Sequence, residues 1–319
     1  MSAVTALASE LATTNANLLA LAQTVAAHTA AIAANASADA ANATSIQNLA
    51  AELGLDEAQI AKLVAAASPP IVIQPVITDP QVQWRASMET GDLSAWSEQV
   101  NTGPAAGSSA VLLANESILP RISKLFGLPS LYAMKQSCSP TASSSAGTRM
   151  ARYPEIDRLC RAGTPFYYSW WDFYPSAISI PASGWFNLWQ IASNRSNADG
   201  TLTPVPLWVL GIDNGMTLNF MSDPTATGKT YKSPLAIQVG AWNFIEVYIN
   251  PKADITGALK VWLNGQVALD IPGVQTQFPL AAQAILTWMT SNCYALGVSP
   301  VPVSHFVDDV TVSLGRMPA

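Results

Sequence analysis

Hydrophobic side chains recur with two different periods along this 319-residue chain. Within residues 1 to 53, steps of alternately three and four residues from Val4 define a seam of mostly apolar positions that keeps its phase over seven heptads. A period of 3.5 residues is typical of a left-handed coiled coil, whose apolar seam faces partner helices. The pattern predicts a parallel coiled coil about 75 Å long, which we interpret as a homotrimer.

The predicted oligomer core mixes apolar and polar layers. Its positions are Leu11, Leu18, Leu21, Val25, His28, Ile32, Asn35, Asp39, Asn42, Ile46, Leu49 and Leu53. Buried polar layers cost stability but fix register and oligomer state. The alternative is an antiparallel hairpin within one monomer, turning at residues 34 to 45, where weak helix formers cluster. The unbroken heptad phase favours the rod, because a loop need not preserve that phase.

Two short segments follow the predicted coil. Residues 54 to 67 begin with Gly54, offer Asp56 as a helix N-cap, and predict a short helix. Residues 68 to 80 contain four prolines and predict an extended, semi-rigid linker.

From residue 81 to residue 319 the hydrophobic period changes to two. Eleven or more alternating segments are separated by turn formers, and Asn264-Gly265 is the strongest hairpin signal. No helical pattern is evident between these segments. The predicted fold is therefore mainly β, with a C-terminal antiparallel jelly-roll β-sandwich after the N-terminal α-helical coiled coil.

Several segments of this sandwich resemble a known group of β-sandwiches. They are WRASMETGDLSAW (84 to 96), GTRMARYPEIDR (147 to 158), WFNLWQIAS (185 to 193), ITGALKVWLNGQVALDI (255 to 271) and SHFVDDVTVSL (304 to 314). In order and character they are similar to strands of concanavalin A-like polysaccharide lyases and laminin-G-like lectin domains. The resemblance implies a jelly roll with a sugar-binding groove.

Lyases of this fold carry an Arg, a Gln, a His and a Tyr in the groove. The resemblance places Arg149 and Gln190 at two of these positions, but Ala192 stands where the His would fall. Of the two histidines, His28 lies in the predicted coil and His305 on the last strand, where a structural role is expected. We also interpret Tyr294 as a packing residue. Binding is therefore expected rather than catalysis, with a lyase acting on uronate-containing glycans as the alternative.

Aromatic residues are concentrated between residues 167 and 191. Because strand residues alternate between faces, one half of them should fill the core, and the other half should form a sugar-stacking platform or a subunit contact. The predicted carbohydrate-binding residues are Arg149, Trp170, Trp171, Trp185, Trp189 and Gln190. By strict alternation, Gln190 shares a face with neither Trp185 nor Trp189, so these three residues line one groove only if a bulge intervenes.

Acidic residues lie near both ends of the predicted sandwich. Glu89 and Asp92, together with Asp308 and Asp309, resemble the ligands of a structural Ca²⁺ that many jelly-roll modules hold between their first and last strands. The alternative is that these carboxylates are exposed turn residues.

Composition and charge exclude several classes of partner. Only 11% of the residues are charged, against about 25% in an ordinary soluble domain. With 15 Lys plus Arg against 21 Asp plus Glu and no basic cluster, nucleic acid is not an expected partner. The first basic residue is Lys62, which argues against a signal peptide, and no apolar stretch predicts a membrane span. The three cysteines suggest buried thiols rather than a disulfide framework.

The order of coil, proline linker and sandwich resembles a bacteriophage fibre, spike or capsid decoration protein. That resemblance implies a homotrimer on the surface of a virion, in contact with other virion proteins and with host surface polysaccharide.

Overall fold

The structure is a computed structural model that describes residues 81–122, 129–196, 202–222, 228–278 and 287–317. The predicted coiled coil with all its core positions, the short helix and the linker lie in residues 1 to 80, outside the described residues. They therefore stay predictions.

The described ranges form seventeen β-strands, one α-helix and one short 3-10 helix. The strands are β1 (Val82–Ala86), β2 (Glu98–Thr102), β3 (Gly107–Leu112), β4 (Arg121–Ile122), β5 (Pro129–Ser130), β6 (Tyr132–Cys138), β7 (Ala146–Arg152), β8 (Phe166–Phe173), β9 (Trp185–Ser196), β10 (Leu202–Ile212), β11 (Thr217–Ser222), β12 (Thr230–Ala236), β13 (Trp242–Asn250), β14 (Gly257–Leu263), β15 (Gln266–Val274), β16 (Thr287–Leu296) and β17 (Val303–Ser313). The α-helix α1 spans Pro154–Ala162 and the 3-10 helix spans Leu113–Glu116.

Two large antiparallel sheets contain most of these strands. Sheet A has the order β15-β14-β13-β8-β17-β6-β3, and β1 pairs with β17. Sheet B has the order β12-β11-β10-β9-β16-β7-β2, and β4 pairs with β5 in a separate small ribbon. Two antiparallel sheets joined by a shared core confirm the predicted β-sandwich.

The turn between β14 and β15 confirms the predicted hairpin. Asn264 and Gly265 connect the two strands and both have positive φ angles, of 51° and 80°. A two-residue turn with positive φ at both positions matches the right-handed twist of the flanking strands.

Helix α1 corrects the expectation that no helix interrupts the strands. It begins with Pro154 at its first turn, where a missing N–H costs nothing, and ends at Gly163 in the left-handed conformation. Ile156, Leu159 and Cys160 form its buried face. Among the described residues, no helix is long and apolar enough to cross a membrane.

The core between the sheets takes one face of the aromatic strand β8. Phe166, Tyr168 and Trp170 are buried there, and Tyr168 lies 6.0 Å from Trp189 of sheet B, measured between ring centres. Trp170 and Trp189 are 2% and 0% exposed. Their prediction as sugar-binding residues is therefore wrong, because neither offers a ring face to a ligand.

Strand β9 changes register at Leu188. In the pairing with β16, Trp189 faces Ser291 whereas Asn187 faces Tyr294. The pairing of β9 with β10 shifts at the same place. This irregularity breaks the strict alternation along β9, so residues on either side of Leu188 are placed on faces that simple counting does not predict.

Candidate functional site

A cleft of about 340 Å³ lies on the outer face of sheet B. Its lining residues come from β2, β7, β9, β10 and β16 and from the residue after β7: Glu98, Val100, Arg149, Ala151, Tyr153, Gln190, Ala192, Val205, Pro206, Trp288 and Thr290. The predicted pair Arg149 and Gln190 thus lies in one cleft, and Ala192 lies in it as well. Among the described residues that line the cleft there is no histidine.

Arg149 is a half-buried cation without an acidic partner among the residues that the structure describes. Its Nε is buried and has no hydrogen-bond partner among the described residues. Five other arginines each face a carboxylate: Arg85, Arg121, Arg152, Arg161 and Arg316. Within the described part of the chain, no carboxylate lies within ion-pair distance of Arg149. A partly desolvated guanidinium in this state favours an anionic ligand.

The side chain of Gln190 is held in one orientation. Its Oε1 accepts a hydrogen bond from Nδ2 of Asn187 at 3.1 Å, and Gln190 is only 5% exposed. Because the oxygen is occupied, the amide N–H groups of Gln190 are left as donors for the cleft.

Tyr294 extends the same face of sheet B beside Arg149. The Arg149 guanidinium carbon lies 5.2 Å from the centre of the Tyr294 ring, and the phenol oxygen lies 3.2 Å from Oγ of Ser145. Tyr294 pairs with Gly147 across the strands, and a Cβ at Gly147 would approach Tyr294 Cα and Cδ2 to 2.4 Å. Glycine is therefore required for the Tyr294 ring to lie here. The sequence alone predicts a packing role for Tyr294, because it does not reveal the cross-strand neighbours of this residue.

Trp185 also lies on this side, because the register shift at Leu188 brings it there. Its ring meets Tyr294 edge-on, with 4.8 Å between ring centres. Trp185 contacts Tyr294, which lies beside Arg149, but it is not among the residues that line the cleft. Trp171 instead lies on the outer face of sheet A, against Phe244 at 5.1 Å and Arg121 at 4.8 Å.

Two aromatic residues not predicted from the sequence line the opposite end of the cleft. Tyr153 and Trp288 meet edge-on at 5.9 Å. The Tyr153 hydroxyl donates to the Glu98 carboxylate. Burial, and then this contact with Glu98, raise the pKa of Tyr153 well above its usual range, so Tyr153 stays a neutral phenol.

His305 is buried between the sheets and does not reach the cleft. Its Nδ1 lies 2.6 Å from Oδ1 of Asp172, and its Nε2 donates to the main-chain oxygen of Asn292 at 3.1 Å. His305 and Asp172 are both 0% exposed. The structural role expected for His305 agrees with this position.

The four carboxylates predicted to hold Ca²⁺ do not form a ligand shell. Arg121 donates to Asp308 at 2.8 Å and to Asp309 at 2.9 Å, and Arg85 also pairs with Asp309. Burial is the main cause that raises the pKa of Asp308 to about 7.

The other two acids have separate partners. Glu89 accepts from Oγ of Ser130 at 2.6 Å, whereas the exposed Asp92 accepts from Thr90 and Ser94. Among the described residues, no group of three His, Cys, Asp or Glu side chains is arranged to hold a metal ion. A structural Ca²⁺ therefore stays a prediction without a site in this part of the chain.

Similarity to known proteins is found among solved structures and in a protein family. Comparison with curated proteins gives no match. Among solved structures, an endo-β-1,4-glucuronan lyase from the fungus Trichoderma reesei is similar with a TM-score of 0.52 at 15% identity, covering 73% of this chain and 95% of that chain. The cellulose-induced protein Cip1 gives a TM-score of 0.46 at 12% identity, covering 74% and 99%.

A carbohydrate esterase from the Shiga toxin-encoding bacteriophage phi24B gives a TM-score of 0.42 at 13% identity, covering 74% of this chain and 99% of that chain. At 15% identity, the similarity to the glucuronan lyase shows the fold alone. The family comparison reaches further, because residues 88–284 match the polysaccharide lyase family. This range includes the strands that carry Arg149 and Gln190, and it covers more than half of the chain. The chain therefore belongs to the polysaccharide lyase family.

Proposed function

We propose that the cleft binds an acidic polysaccharide, with the carboxylate of one uronate residue held by Arg149 and Gln190. The observation that carries this proposal is the half-buried guanidinium of Arg149, which has no acidic partner among the described residues. A uronate carboxylate would supply the missing charge and accept hydrogen bonds from both side chains.

The size of the expected interaction follows from this charge pairing. A hydrogen bond to a charged group contributes about 1.5 to 3 kcal/mol when neither partner is fully solvated. Sugar rings stack on aromatic faces through their C–H surface, and Trp288 and Tyr153 offer such surface at the end of the cleft. We therefore assign charge recognition to Arg149 and Gln190 and ring contacts to the aromatic residues.

A β-1,4-linked glucuronate oligosaccharide is the first probe to use. The choice comes from the glucuronan lyase with a similar fold, which supports a probe but not a substrate. Cellotetraose is a matched control, since it has the same linkage and differs from the glucuronate tetrasaccharide by having CH₂OH in place of each carboxylate.

Isothermal titration of the full chain with both tetrasaccharides tests the proposal. Binding of the glucuronate tetrasaccharide about tenfold or more tighter than cellotetraose is expected, which corresponds to about 1.4 kcal/mol. Equal affinity for the two, or binding of neither this tetrasaccharide nor alginate and polygalacturonate fragments, would reject acidic-glycan recognition.

A second candidate function is cleavage of the bound polysaccharide by β-elimination. It is favoured by Tyr294, which lies on the same face as Arg149 and Gln190. In this reaction, Tyr294 as phenolate would remove the proton from C5, beside the carboxylate. The electron pair would form the C4=C5 double bond while the C4–O4 bond breaks, and the leaving oxygen would take up a proton from Tyr294 or water.

The residue Ala192 weighs against efficient elimination. It occupies the cleft where the resemblance to lyases implies a histidine, so Tyr294 would have to act without that second acid or base. Incubation of glucuronan with the full chain, followed by ultraviolet absorbance of the unsaturated product, distinguishes cleavage from binding alone. No absorbance despite saturating binding would leave recognition as the function.

We retain a display role on a bacteriophage virion as a separate proposal. It rests on the heptads of residues 1 to 53 and on the resemblance to fibre, spike and decoration proteins. In this role a homotrimer would attach to other virion proteins and carry three polysaccharide-binding sandwiches toward a host surface.

A further inference from the structure

A line of hydrogen bonds joins the buried core to the cleft. Nε2 of His305 donates to the main-chain oxygen of Asn292, and Nδ2 of Asn292 donates to Oδ1 of Asn187 at 2.8 Å. Nδ2 of Asn187 then donates to Oε1 of Gln190 at 3.1 Å. At the far end, the His305 ring lies 2.6 Å from Asp172. The line crosses three strands, β17, β16 and β9.

We propose that Asn187 and Asn292 are positioning residues that hold the Gln190 amide with its N–H groups toward the cleft, and so select a carboxylate over a neutral sugar group. The inference rests on the proposed function of the cleft. It adds a cause for selectivity, because a freely rotating glutamine would offer either an oxygen or N–H groups to the ligand.

The three side-chain amides could donate in the observed order, from Asn292 to Asn187 to Gln190, or in the reverse order. The two orders differ in which buried atom is left without a hydrogen-bond partner. In the observed arrangement, Oδ1 of Asn292 is the buried atom without a partner among the described side-chain amides of Asn292, Asn187 and Gln190. If all three amides were reversed, the NH₂ group of Asn292 would be buried without an acceptor. Orphaned buried N–H groups are rarer than orphaned carbonyl oxygens, so the observed direction is favoured.

Arg149 favours the same direction. Asn292 pairs directly with Arg149 across β16 and β7, on the cleft side of sheet B. A guanidinium beside an amide is stabilised by the amide oxygen and opposed by its NH₂ group. Within the described part of the chain, Arg149 Nε and Asn292 Oδ1 are both buried without a hydrogen-bond partner, so the charge of Arg149 would act on Asn292 through space rather than through a hydrogen bond.

His305 and Asp172 fix the strand from which Asn292 acts. Both are fully buried, and the His305 ring is stacked on Tyr174 with 5.1 Å between ring centres. Tyr174 in turn donates from its hydroxyl to Asp172 at 3.2 Å. This anchoring limits movement of β16 at Asn292 and so of the side chain that contacts Asn187.

The substitution Asn187→Asp should reverse the direction of the hydrogen bond between residue 187 and Gln190. An aspartate can still accept from Asn292, but it cannot donate to Gln190, whose amide should rotate to donate to the new carboxylate. The Gln190 oxygen would then face the bound uronate. We expect affinity for the glucuronate tetrasaccharide to fall about tenfold, with little change for cellotetraose.

A double-mutant cycle separates this rotation from the added negative charge. In a Gln190→Ala background the charge of Asp at position 187 remains but no amide can rotate, so the further loss should shrink to about threefold or less. An equal loss in both backgrounds would show that Asn187→Asp acts only through charge and would overturn the positioning role. Melting curves identify variants that fail to fold.

Side-chain amide hydrogen exchange in the unliganded wild-type chain gives a test that needs neither ligand nor variant. Slow exchange is expected for the NH₂ groups of Asn187 and Asn292, and fast exchange for Gln190. A protected Gln190 NH₂ with a fast-exchanging Asn292 would overturn the proposed direction. If the exchange rates are as expected but the glucuronate tetrasaccharide does not bind, the orientation of the Gln190 amide is supported and the proposed function of the cleft is rejected.

Discussion

The guanidinium of Arg149 lies over the ring of Tyr294, with 5.2 Å from its central carbon to the ring centre. The contact joins β7 to β16 on the cleft side of sheet B. A cation over an aromatic face is attracted by the ring quadrupole, by about 0.5 to 1 kcal/mol at an exposed site. The pair therefore places a charge-binding group beside a group that can transfer a proton.

Replacing Tyr294 by Phe should separate binding from cleavage. Tyr294→Phe keeps the ring under Arg149 but removes the hydroxyl, so affinity for glucuronate tetrasaccharide should stay within about threefold while any elimination rate falls about 100-fold or more. Ultraviolet absorbance of the product measures the rate. Tyr248→Phe, on the outer face of sheet A, is the matched control. An elimination rate unchanged by Tyr294→Phe would exclude Tyr294 as the base.

Gly147→Ala should disturb Tyr294 through packing alone. The new methyl group would lie 2.4 Å from Tyr294 Cα and Cδ2, so β7 and β16 must separate locally. A cost of about 1 to 3 kcal/mol in unfolding free energy is expected from such overpacking. Gly107→Ala is the control, because a Cβ there has nothing within 4 Å. Denaturant unfolding compares the two, and equal stability would show that β16 lies elsewhere.

Asp308 should make stability depend on pH in an unusual direction. Its folded pKa of about 7 lies above the value of about 3.9 in an unfolded chain. The folded state then binds the proton more tightly, so this contribution is complete below about pH 4 and is lost as pH rises toward 7.

Asp308→Asn removes that titration. Relative to the wild-type chain, the variant should gain up to about 1.4 kcal/mol per pH unit between about pH 4 and pH 7. Unfolding free energies measured by denaturant across this range provide the test, with the exposed Asp270→Asn as the control. A stability difference between Asp308→Asn and wild type that is independent of pH would contradict the raised pKa.

The predicted coil should make the full chain a trimer. Light scattering should give three times the chain mass of 33.6 kDa. Leu21→Asp places a charge on the predicted seam and should dissociate the trimer, whereas Ala20→Asp lies off the seam and should not. A mass of one chain for the wild-type protein would reject both the trimer and the display role that depends on it.

Local sequence signals predicted those features that depend on neighbouring residues. The Asn264-Gly265 hairpin follows from the backbone conformation that these two residues adopt readily. Arg149, Gln190 and Ala192 were placed in one groove by resemblance, and the structure brings all three to one cleft.

Features set by long-range pairing could not be predicted in this way. Alternation along β8 and β9 separates two faces but does not tell which face is inside, so Trp170 and Trp189 were wrongly assigned to sugar binding. The register shift at Leu188 occurs where β9 pairs with β16, and Tyr294 of β16 pairs with Gly147 of β7. In both cases the paired strands lie more than a hundred residues apart in sequence. Likewise, Arg121 is distant in sequence from Asp308, to which it donates a hydrogen bond.

Titration of glucuronate tetrasaccharide into the wild-type chain and Arg149→Met tests acidic-glycan recognition most directly. Arg158→Met is the control with the same loss of charge, because Arg158 lies exposed on α1 and contacts Gln83. Recognition by Arg149 predicts that Arg149→Met weakens binding by about tenfold or more, while Arg158→Met changes it less than about twofold. Equal affinities for wild type and Arg149→Met would contradict the assignment of this cleft.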